Sequence, residues 1–566
     1  MTAGLSEAQA DVVRDRSMPL AVIAGPGAGK TRVLTRRIAW RCRSGDAAPG
    51  HTLALTFSRR AAGELRSRLF GLGLPADPRD GGVVAGTFHA VAWAQVSRCR
   101  ADAGRRPPGL LAQPGRLAQA VLGDTLGRTA SPAEGRALLD EIAWARRGGA
   151  TPETYADLAV AAGRWPPWAL EVVGAVWAGF VRAKRHRDVV DLDDLLHTAA
   201  EMVEDDPGLA AAVRWRHRHV YVDEYQDLNP AHLRLLRAWV GDRSDVCLVG
   251  DPDQAVYGFN GACPDLFSRL GEDWPGVTVL RLAEDFRSSP ELVRFTASVP
   301  GVDRHRVSRC PPGPLPRLTA ADGEREEAVR IAASVWERHT AGVGWGRMAV
   351  LARTNARLRA IASVLGEVGV PCHFRDPRPL SERPAVREWL EQVPAVTPIG
   401  DARVSPDVAD LGALAGALDE YRAQVPGGTV GGFGAWLDAS GPTDDQASGP
   451  AVDLVTFHRA KGLEWDAVWV AGLEEGTVPL ASAAGARGGL EEECRLLYVA
   501  LTRASDELTV SWAGEPSRWV AALEAAAATL GAQPLRDEQV RRFAVLRGSL
   551  DAPTGDRAAR AYGRSA

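Results

Sequence analysis

The chain has 566 residues, of which 45% are hydrophobic and 24% are charged, and its formal net charge is −4 at pH 7. These values describe an ordinary globular chain of several domains, and they exclude a protein that binds nucleic acid through overall basicity. The seven cysteines form no C-x-x-C pair, which argues against zinc, an iron–sulfur cluster and a disulfide framework. No apolar run is long enough to cross a membrane, so a cytoplasmic location is expected.

Short apolar runs with strand character recur along the chain, each followed by a turn residue and a helical pattern. The first series comprises 20–24, 52–57, 82–88, 219–224, 245–251 and 277–282, and the second comprises 348–353, 452–458, 466–472 and 507–513. Apolar runs that alternate with helices are typical of parallel sheets with crossover connections. The sequence therefore predicts an α/β fold with two parallel sheets, each in a domain of its own.

Two stretches without strand character interrupt these series. Residues 96–189 are rich in Ala, Leu and Trp and are predicted to be helical. Residues 385–450 are predicted to be helical only in part, because they contain the Gly/Pro/Asp/Ser-rich patch ASGPTDDQASGP. Each predicted sheet therefore carries a mainly helical insertion, and the second insertion is small.

The segment AGPGAGKT, residues 24–31, lies between the first predicted strand and a helix. Its glycines allow the backbone N–H groups to approach an anion, and the helix that follows adds the positive end of its dipole. Lys30 is expected to reach the β- and γ-phosphates of a nucleotide, and the Thr31 hydroxyl to bind Mg²⁺. Ala24 replaces the first glycine of the strict pattern. The alternative is a tight glycine-rich connection that binds nothing.

Lysine is rare in this chain. Lys30, Lys184 and Lys461 are the only lysines among 67 basic Lys and Arg residues, which suggests that arginine has replaced lysine wherever either would serve. A retained lysine is expected where a compact ammonium is needed that a planar guanidinium cannot imitate. Lys30 and Lys461 are therefore predicted to be functional, whereas Lys184, in RAKRHRD, is predicted to lie on a solvated charged face.

The segment HVYVDEYQD, residues 219–227, supplies acidic residues at the end of a predicted buried strand. Asp223 is expected to hold Mg²⁺, and Glu224 to polarise the attacking water as a general base. Gln254, in VGDPDQAVYGFNGA, offers an amide that could sense the γ-phosphate. The alternative for the adjacent carboxylates is a solvated turn.

These segments belong to an ordered set of motifs. In chain order they are LSEAQADVV (5–13), AGPGAGKT (24–31), ALTFSRRAAGEL (54–65), GTFHAV (86–91), VDLDDLL (190–196), VDEYQDLNP (222–230), VGDPDQAVYGFNGA (249–262), LAEDFRSSPEL (282–292), VTFHRAKGLEW (455–465) and EEECRLLYVALTRA (491–504). The set resembles the UvrD/Rep/PcrA type of superfamily 1 DNA helicases in order and approximate spacing, over most of the chain. The resemblance implies two RecA-like P-loop motor domains and the use of ATP and Mg²⁺.

The resemblance also implies a nucleotide site shared by both motor domains. Arg287 and Arg503 would touch the γ-phosphate from the second domain as arginine fingers, with Lys30, Asp223, Glu224 and Gln254 as the other catalytic residues. The residues implied for the rest of the nucleotide are Gln9 at the adenine edge, Arg32 and Phe286 on the faces of the ring, Gly462 and Glu464 at the ribose, and Ala24, Gly25, Pro26, Gly27, Ala28, Gly29 and Thr31 at the phosphates.

Single-stranded DNA crosses both motor domains in the relatives, and aromatic side chains form pockets for successive bases. The matching positions here are Phe57, Phe88, His89, Tyr257 and Phe259. Stacking suits movement along any sequence, because each base contributes about 1–3 kcal/mol whatever its identity. The alternative for these aromatic residues is core packing.

The implied domain organisation follows from the positions of the motifs. The first motor domain comprises 1–95 and 190–285 with the insertion 96–189, and the second comprises 286–384 and 451–535 with the reduced insertion 385–450, before a tail at 536–566. In the relatives the second insertion is large and swivels, so that regulation by swivelling does not carry over to this chain.

The predicted function is that of an ATP-dependent 3′→5′ helicase and single-stranded DNA translocase, acting on single-stranded and tailed duplex DNA in repair, replication or recombination. The protein is expected to be a monomer or weak oligomer, with a possible repair or recombination partner. The alternatives are a translocase that strips proteins or serves an anti-phage complex without unwinding alone, a nucleotide-switched DNA-binding module, and a kinase-like phosphotransferase. Glu224, Arg287 and Arg503 argue against the switch, and arginines from two domains argue against the phosphotransferase.

Overall fold

The computed structural model describes residues 2–75, 81–105, 108–111, 113–258, 262–263, 265–375, 380–405, 409–424, 427–439, 450–484 and 488–531. The predicted α/β fold with parallel sheets is confirmed. Two six-stranded sheets, parallel throughout, form the two halves of the molecule. Each of the ten predicted apolar runs contains or overlaps a strand.

The first sheet carries the predicted phosphate-binding loop after the strand that lies next to one of its edges. Its strands lie in the spatial order Val84–Thr87, Thr52–Thr56, His219–Val222, Val246–Gly250, Leu20–Ala24 and Thr278–Leu282. Thr52–Thr56 and Val246–Gly250 are buried at every residue, because core clusters cover both faces of the sheet. All carboxyl ends therefore meet at one edge, where the loops after the strands carry the candidate residues.

The second sheet has the spatial order Arg317–Ala321, Ala504–Ala513, Trp465–Ala471, Met348–Ala352, Val452–Thr456 and Cys372–Phe374. Its two outer strands were missed in the sequence, because Arg317–Ala321 alternates exposed and buried residues and Cys372–Phe374 has only three residues. Two pairs of short strands lie outside the large sheets: Gly109–Leu110 with Val189–Val190, and Glu284–Asp285 with Val307–Ser308.

Helices connect the strands and form most of both insertions. In chain order they are Glu7–Arg14, Lys30–Ser44, Arg59–Gly71, Phe88–Asp102, Pro114–Leu126, Pro132–Arg147, Tyr155–Ala161, Leu170–His186, Leu192–Asp205, Pro207–Arg216, Pro230–Val240, Leu270–Asp273, Pro290–Thr296, Glu324–Thr340, Asn355–Glu367, Pro384–Gln392, Ala409–Gln424, Val430–Ala439, Ala481–Ala484, Gly489–Leu501 and Val520–Thr529. Among the described residues, no helix is both long enough and apolar enough to span a membrane.

The first insertion has a core of its own and is tied to the first half at its base. There the ammonium of Lys184, only 2% exposed, donates to Asp191 at 2.6 Å and also pairs with Asp194. Arg146 donates to Asp194 at 2.9 Å. The prediction of a solvated face for Lys184 is therefore wrong: the two carboxylates supply the counter-charge that allows a lysine to be buried.

The second insertion packs against the first half of the molecule. Its helices Ala409–Gln424 and Val430–Ala439 contact the helix Phe88–Asp102 and the strand Gly109–Leu110, respectively, and its apolar residues join a core cluster of the first sheet. The guanidinium of Arg59 lies 3.6 Å from the centre of the Trp436 ring. Arg66 and Glu420 add an ion pair at 4.0 Å. The insertion thus forms a bridge between the two halves.

Candidate active site

The loop at residues 24–31 has the backbone shape that its glycines predict. Gly27 and Gly29 have φ angles of 73° and 79°, in the left-handed region where a side chain is disfavoured. Gly29 caps the helix that begins at Lys30. Lys30 Nζ donates to the carbonyls of Ala24 and Gly25 at 3.0 and 3.3 Å. The loop therefore presents the first N–H groups of a helix, which lack intrahelical acceptors, and an ammonium at the edge of the sheet.

Thr31 and Asp223 meet across the sheet, although 192 positions separate them. The Thr31 hydroxyl donates to Asp223 Oδ2 at 3.1 Å. Burial, followed by the neighbouring charge of Glu224, raises the pKa of Asp223 to about 7. The Thr31 hydroxyl and the Asp223 carboxylate are hard oxygen donors, which Mg²⁺ prefers, and the carboxylate is short of counter-charge. These two residues therefore fit the metal that the loop pattern implies.

Glu224 adopts a strained backbone conformation, with φ at 54° in a residue that is not glycine. Gln226 Nε2 donates to Glu224 Oε2 at 2.5 Å, and Gln226 Oε1 accepts from Asp251 N at 2.9 Å. Burial by itself raises the pKa of Glu224, but the charges of Lys30 and Lys461 outweigh it and leave the pKa below its ordinary value. Glu224 is therefore an ionised carboxylate in a fixed orientation, as a general base requires.

The second half contributes both predicted arginines to the same cleft. Arg503 is 2% exposed, and its guanidinium donates to the backbone carbonyls of Val499 and Leu463 and, at 3.5 Å, to Gln254 Oε1. Burial, then the charge of Arg287, lowers the pKa of Arg503 to about 9. Arg287 pairs with the exposed carboxylate of Glu464. Arg503 is thus buried within the second half and reaches Gln254 of the first half, whereas Arg287 lies at the mouth of the cleft.

The residues predicted at the base and ribose are only partly brought together. Gln9 Nε2 donates to the carbonyl of Ala28 at 2.9 Å, which joins the first helix to the phosphate loop. Arg32 is exposed and donates to Gly4 O at 2.9 Å, and Phe286 is 42% exposed. Among the described residues no stacking of Arg32 on Phe286 occurs. Gly462 takes a left-handed φ of 79° in the turn before Glu464.

Behind the cleft lies a cavity of about 420 Å³ at the carboxyl end of the first sheet. The predicted residues Phe57, Phe88, His89 and Tyr257 line it, whereas Phe259 lies outside the described residues. Phe88 is 1% exposed and also stacks on Trp239, so that it belongs to the core as well. The structure therefore brings four of the five predicted aromatic residues to one cavity.

His232 lines the same cavity and was missed in the sequence. Its ring lies 5.0 to 5.4 Å from the rings of Phe57, Phe88 and His89. Its Nδ1 donates to Asn229 Oδ1 at 2.7 Å, because an amide oxygen can only accept. Burial, then the charge of His89, places the pKa of His232 well below its ordinary value. The only signal was its position in DEYQDLNPAH, close after the acidic motif.

Lys461, predicted to be functional, connects the cleft to this cavity. Its ammonium, 6% exposed, donates to both carboxylate oxygens of Asp227 at 2.6 and 2.7 Å and to Gln254 O at 2.6 Å. It also lies 4.9 Å from the centre of the Tyr257 ring. Two further residues of the site were not singled out in the sequence. Asp227 lies in the acidic motif, but that pattern does not indicate an ion pair with Lys461, and Arg306, which is buried against the phosphate loop, belongs to none of the motifs.

Comparisons with known proteins match most of the length of the chain. The family model of the UvrD/REP helicase N-terminal domain matches residues 5–275, and that of the UvrD-like helicase C-terminal domain matches residues 437–515. The ATP-dependent DNA helicase UvrD2 of Mycobacterium tuberculosis is 36% identical over 91% of this chain and 79% of its own length. The ATP-dependent DNA helicase PcrA of Bacillus subtilis is 25% identical over 90% of this chain and 82% of its own length.

Proposed function

Because the chain belongs to the UvrD-like family of ATP-dependent DNA helicases, we propose that it moves 3′→5′ along single-stranded DNA and separates duplex DNA ahead of it. One observation carries the proposal: Lys461, from the second half, bonds at once to Asp227 in the wall of the aromatic cavity and to the backbone of Gln254 in the cleft. A single contact therefore couples a nucleotide site to a site for bases.

The nucleotide chemistry rests on residues from both halves. Lys30 and the N–H groups of the phosphate loop would bind the phosphates, Thr31 and Asp223 would hold Mg²⁺, and Glu224 would accept a proton from the attacking water. Bound Mg²⁺ supplies charge neutralisation for the phosphates. Arg287 and Arg503 are the proposed arginine fingers. Gln254, which is bonded to both Arg503 and Asp251, would sense whether a γ-phosphate is present.

The aromatic cavity would receive bases of the translocated strand. Phe57, His89, His232 and Tyr257 offer ring faces without an unpaired charge, so they favour stacking over recognition of a particular base. The proposed motor domains are 1–95 with 190–285 and 286–384 with 451–535. We include a role in repair, replication or recombination in the proposal. The site itself does not distinguish among these three pathways.

Strand displacement tests the proposed function. The purified protein, with ATP and Mg²⁺, is expected to displace a strand from duplex DNA with a 3′ single-stranded tail but not from one with a 5′ tail. Lys30→Ala protein is the control and should be inactive on both. Displacement from the 5′ tail alone would contradict the direction, and an ATPase that single-stranded DNA does not stimulate would contradict the motor.

A second candidate is a translocase that unwinds only with a partner protein. The bridge formed by the second insertion favours it, because Arg59 and Trp436 hold in place the part of the chain that swivels in the relatives. ATPase activity stimulated by single-stranded DNA, without displacement from either tail, would select this candidate.

A further inference from the structure

Arg306 is buried between the two halves, directly against the phosphate-binding loop. Its side chain is 7% exposed, and it pairs with the carboxylate of Asp285. Its Nη1 donates to the Tyr498 hydroxyl at 2.8 Å, and its Nη2 lies 3.5 Å from the carbonyl oxygen of Pro26. A Cβ added at Gly25 would lie 3.0 Å from Arg306 Cδ. The loop and this arginine are therefore in contact.

Asp285, the partner of Arg306, shapes the backbone that carries Arg287. Its Oδ1 accepts from the backbone N–H groups of Arg287 and Ser288 at 2.8 and 3.1 Å. Burying such a carboxylate is expensive unless a cation compensates it, and Arg306 is that cation. Arg306 thus stabilises a turn whose geometry sets the position of the Arg287 guanidinium.

The same turn is bonded to the phosphate loop. Phe286 N donates to Gly27 O at 3.0 Å, and a Cβ at Gly27 would lie 1.9 Å from Asp285 Oδ1, so only glycine leaves room for the approach. Arg306 Nε is buried and has no acceptor among the described residues. The turn, the phosphate loop and Arg306 therefore form one contiguous set of contacts.

We propose that Arg306 is a positioning residue for ATP hydrolysis, which fixes Arg287 against the phosphate loop through the Asp285 turn. The proposal rests on the nucleotide site proposed above and assigns Arg306 no contact with the reacting atoms. The proposal predicts that its effect on turnover passes through Arg287 and not through the direct contact with Pro26, and this separates it from a residue that only stabilises the fold.

A double-mutant cycle tests the proposal. Arg306→Gln is expected to lower the kcat of ATP hydrolysis at least about tenfold, and Arg287→Gln to lower it further. The protein with both changes should be no slower than Arg287→Gln alone. Losses that multiply in the double variant would overturn the proposal. Tyr498→Phe, which removes only one hydroxyl from the cluster, should give a smaller loss of kcat in the same direction.

Two further measurements separate positioning from unfolding. Arg306→Gln should keep its affinity for a fluorescent ATP analogue and for single-stranded DNA within about threefold, whereas loss of both would mean that the fold has failed and would overturn the proposal. Arg309→Gln is the matched control, because Arg309 pairs with Glu284 on the same segment but is exposed, and its kcat should be unchanged. The double-mutant cycle measures ATP hydrolysis in the absence of DNA. Its result therefore remains valid even if single-stranded DNA does not stimulate the ATPase and the proposed motor function is wrong.

Discussion

The ammonium of Lys461 places all three of its donors on the other half of the molecule: two on the carboxylate of Asp227 and one on the carbonyl of Gln254, each within 2.7 Å. Burial, offset in part by Lys461, raises the pKa of Asp227 to about 7. Three acceptors that converge on one nitrogen suit a tetrahedral ammonium and not a planar guanidinium. This geometry gives a physical reason for a lysine at this position in a chain that has only three lysines.

Lys461→Arg is therefore expected to uncouple the two sites. The planar group cannot serve all three acceptors, so stimulation of ATP hydrolysis by single-stranded DNA should fall about tenfold or more while ATP binding is retained. Steady-state ATPase assays with and without single-stranded DNA measure the ratio. Lys184→Arg, which alters a buried ion pair at the base of the first insertion, is the control. Equal stimulation in wild type and Lys461→Arg would refute the coupling role.

The Glu224→Gln protein is expected to bind ATP but to hydrolyse it very slowly. The amide keeps the size of the side chain but cannot accept a proton, so hydrolysis should fall by about 10²–10⁴-fold, the usual contribution of a general base. Binding of a fluorescent ATP analogue should remain, because Lys30 and the phosphate loop are unchanged. Single-turnover hydrolysis makes the measurement, and turnover at the wild-type rate would show that another group is the base.

Tyr257→Ala is expected to weaken single-stranded DNA binding more than basal ATPase. The ring lines the cavity behind the cleft, and loss of one stacking platform costs about 1–3 kcal/mol per base. Fluorescence anisotropy with a labelled oligonucleotide measures the affinity. Trp165→Ala is the matched control, because this tryptophan is 74% exposed on the first insertion and lines no part of the cavity. Equal losses in the two variants would assign Tyr257 to the core.

The burial of His232 predicts a dependence of stability on pH. Burial holds the pKa of His232 well below the ordinary 6.5. Below pH 6.5 the ring therefore binds a proton in the unfolded chain but stays neutral in the folded protein. The contribution of the neutral His232 ring to the free energy of unfolding is therefore fully present above pH 6.5 and decreases as the pH falls below that value. His232→Gln should flatten the fall between pH 7 and pH 5, measured by urea unfolding, relative to His305→Gln, which changes an exposed histidine. An unchanged slope would contradict the burial of an uncharged ring.

Much of the fold and part of the site follow from local patterns in the sequence. Apolar runs locate the strands, and parallel strands bring their carboxyl ends to one edge, which is why Thr31 and Asp223 can be placed together from the sequence. The same reasoning failed for Lys184, because a run of basic residues indicates a charged face but not the two carboxylates that bury one of them.

Contacts between distant segments have no local signature. Arg306 lies in the loop GVDRHRVS, whose letters predict neither its burial nor its approach to Pro26. Arg59 and Trp436 are 377 positions apart and meet only because the second insertion crosses to the first half. In both cases the two residues come into contact because of the position of one sheet relative to the other. That relative position depends on the whole chain and not on a local sequence pattern.

The crossing of the second insertion limits how the two halves can move. One attachment between two rigid bodies would let them open like a hinge. Here the halves meet at the nucleotide cleft and again where Arg59, after the strand Thr52–Thr56, packs on Trp436 of the second insertion. Two separate contacts of this kind are expected to oppose a wide opening of the cleft while still allowing small rotations of one half against the other. For the motor proposed above, the expected stroke is therefore a short rotation of the two halves and not a wide opening of the cleft.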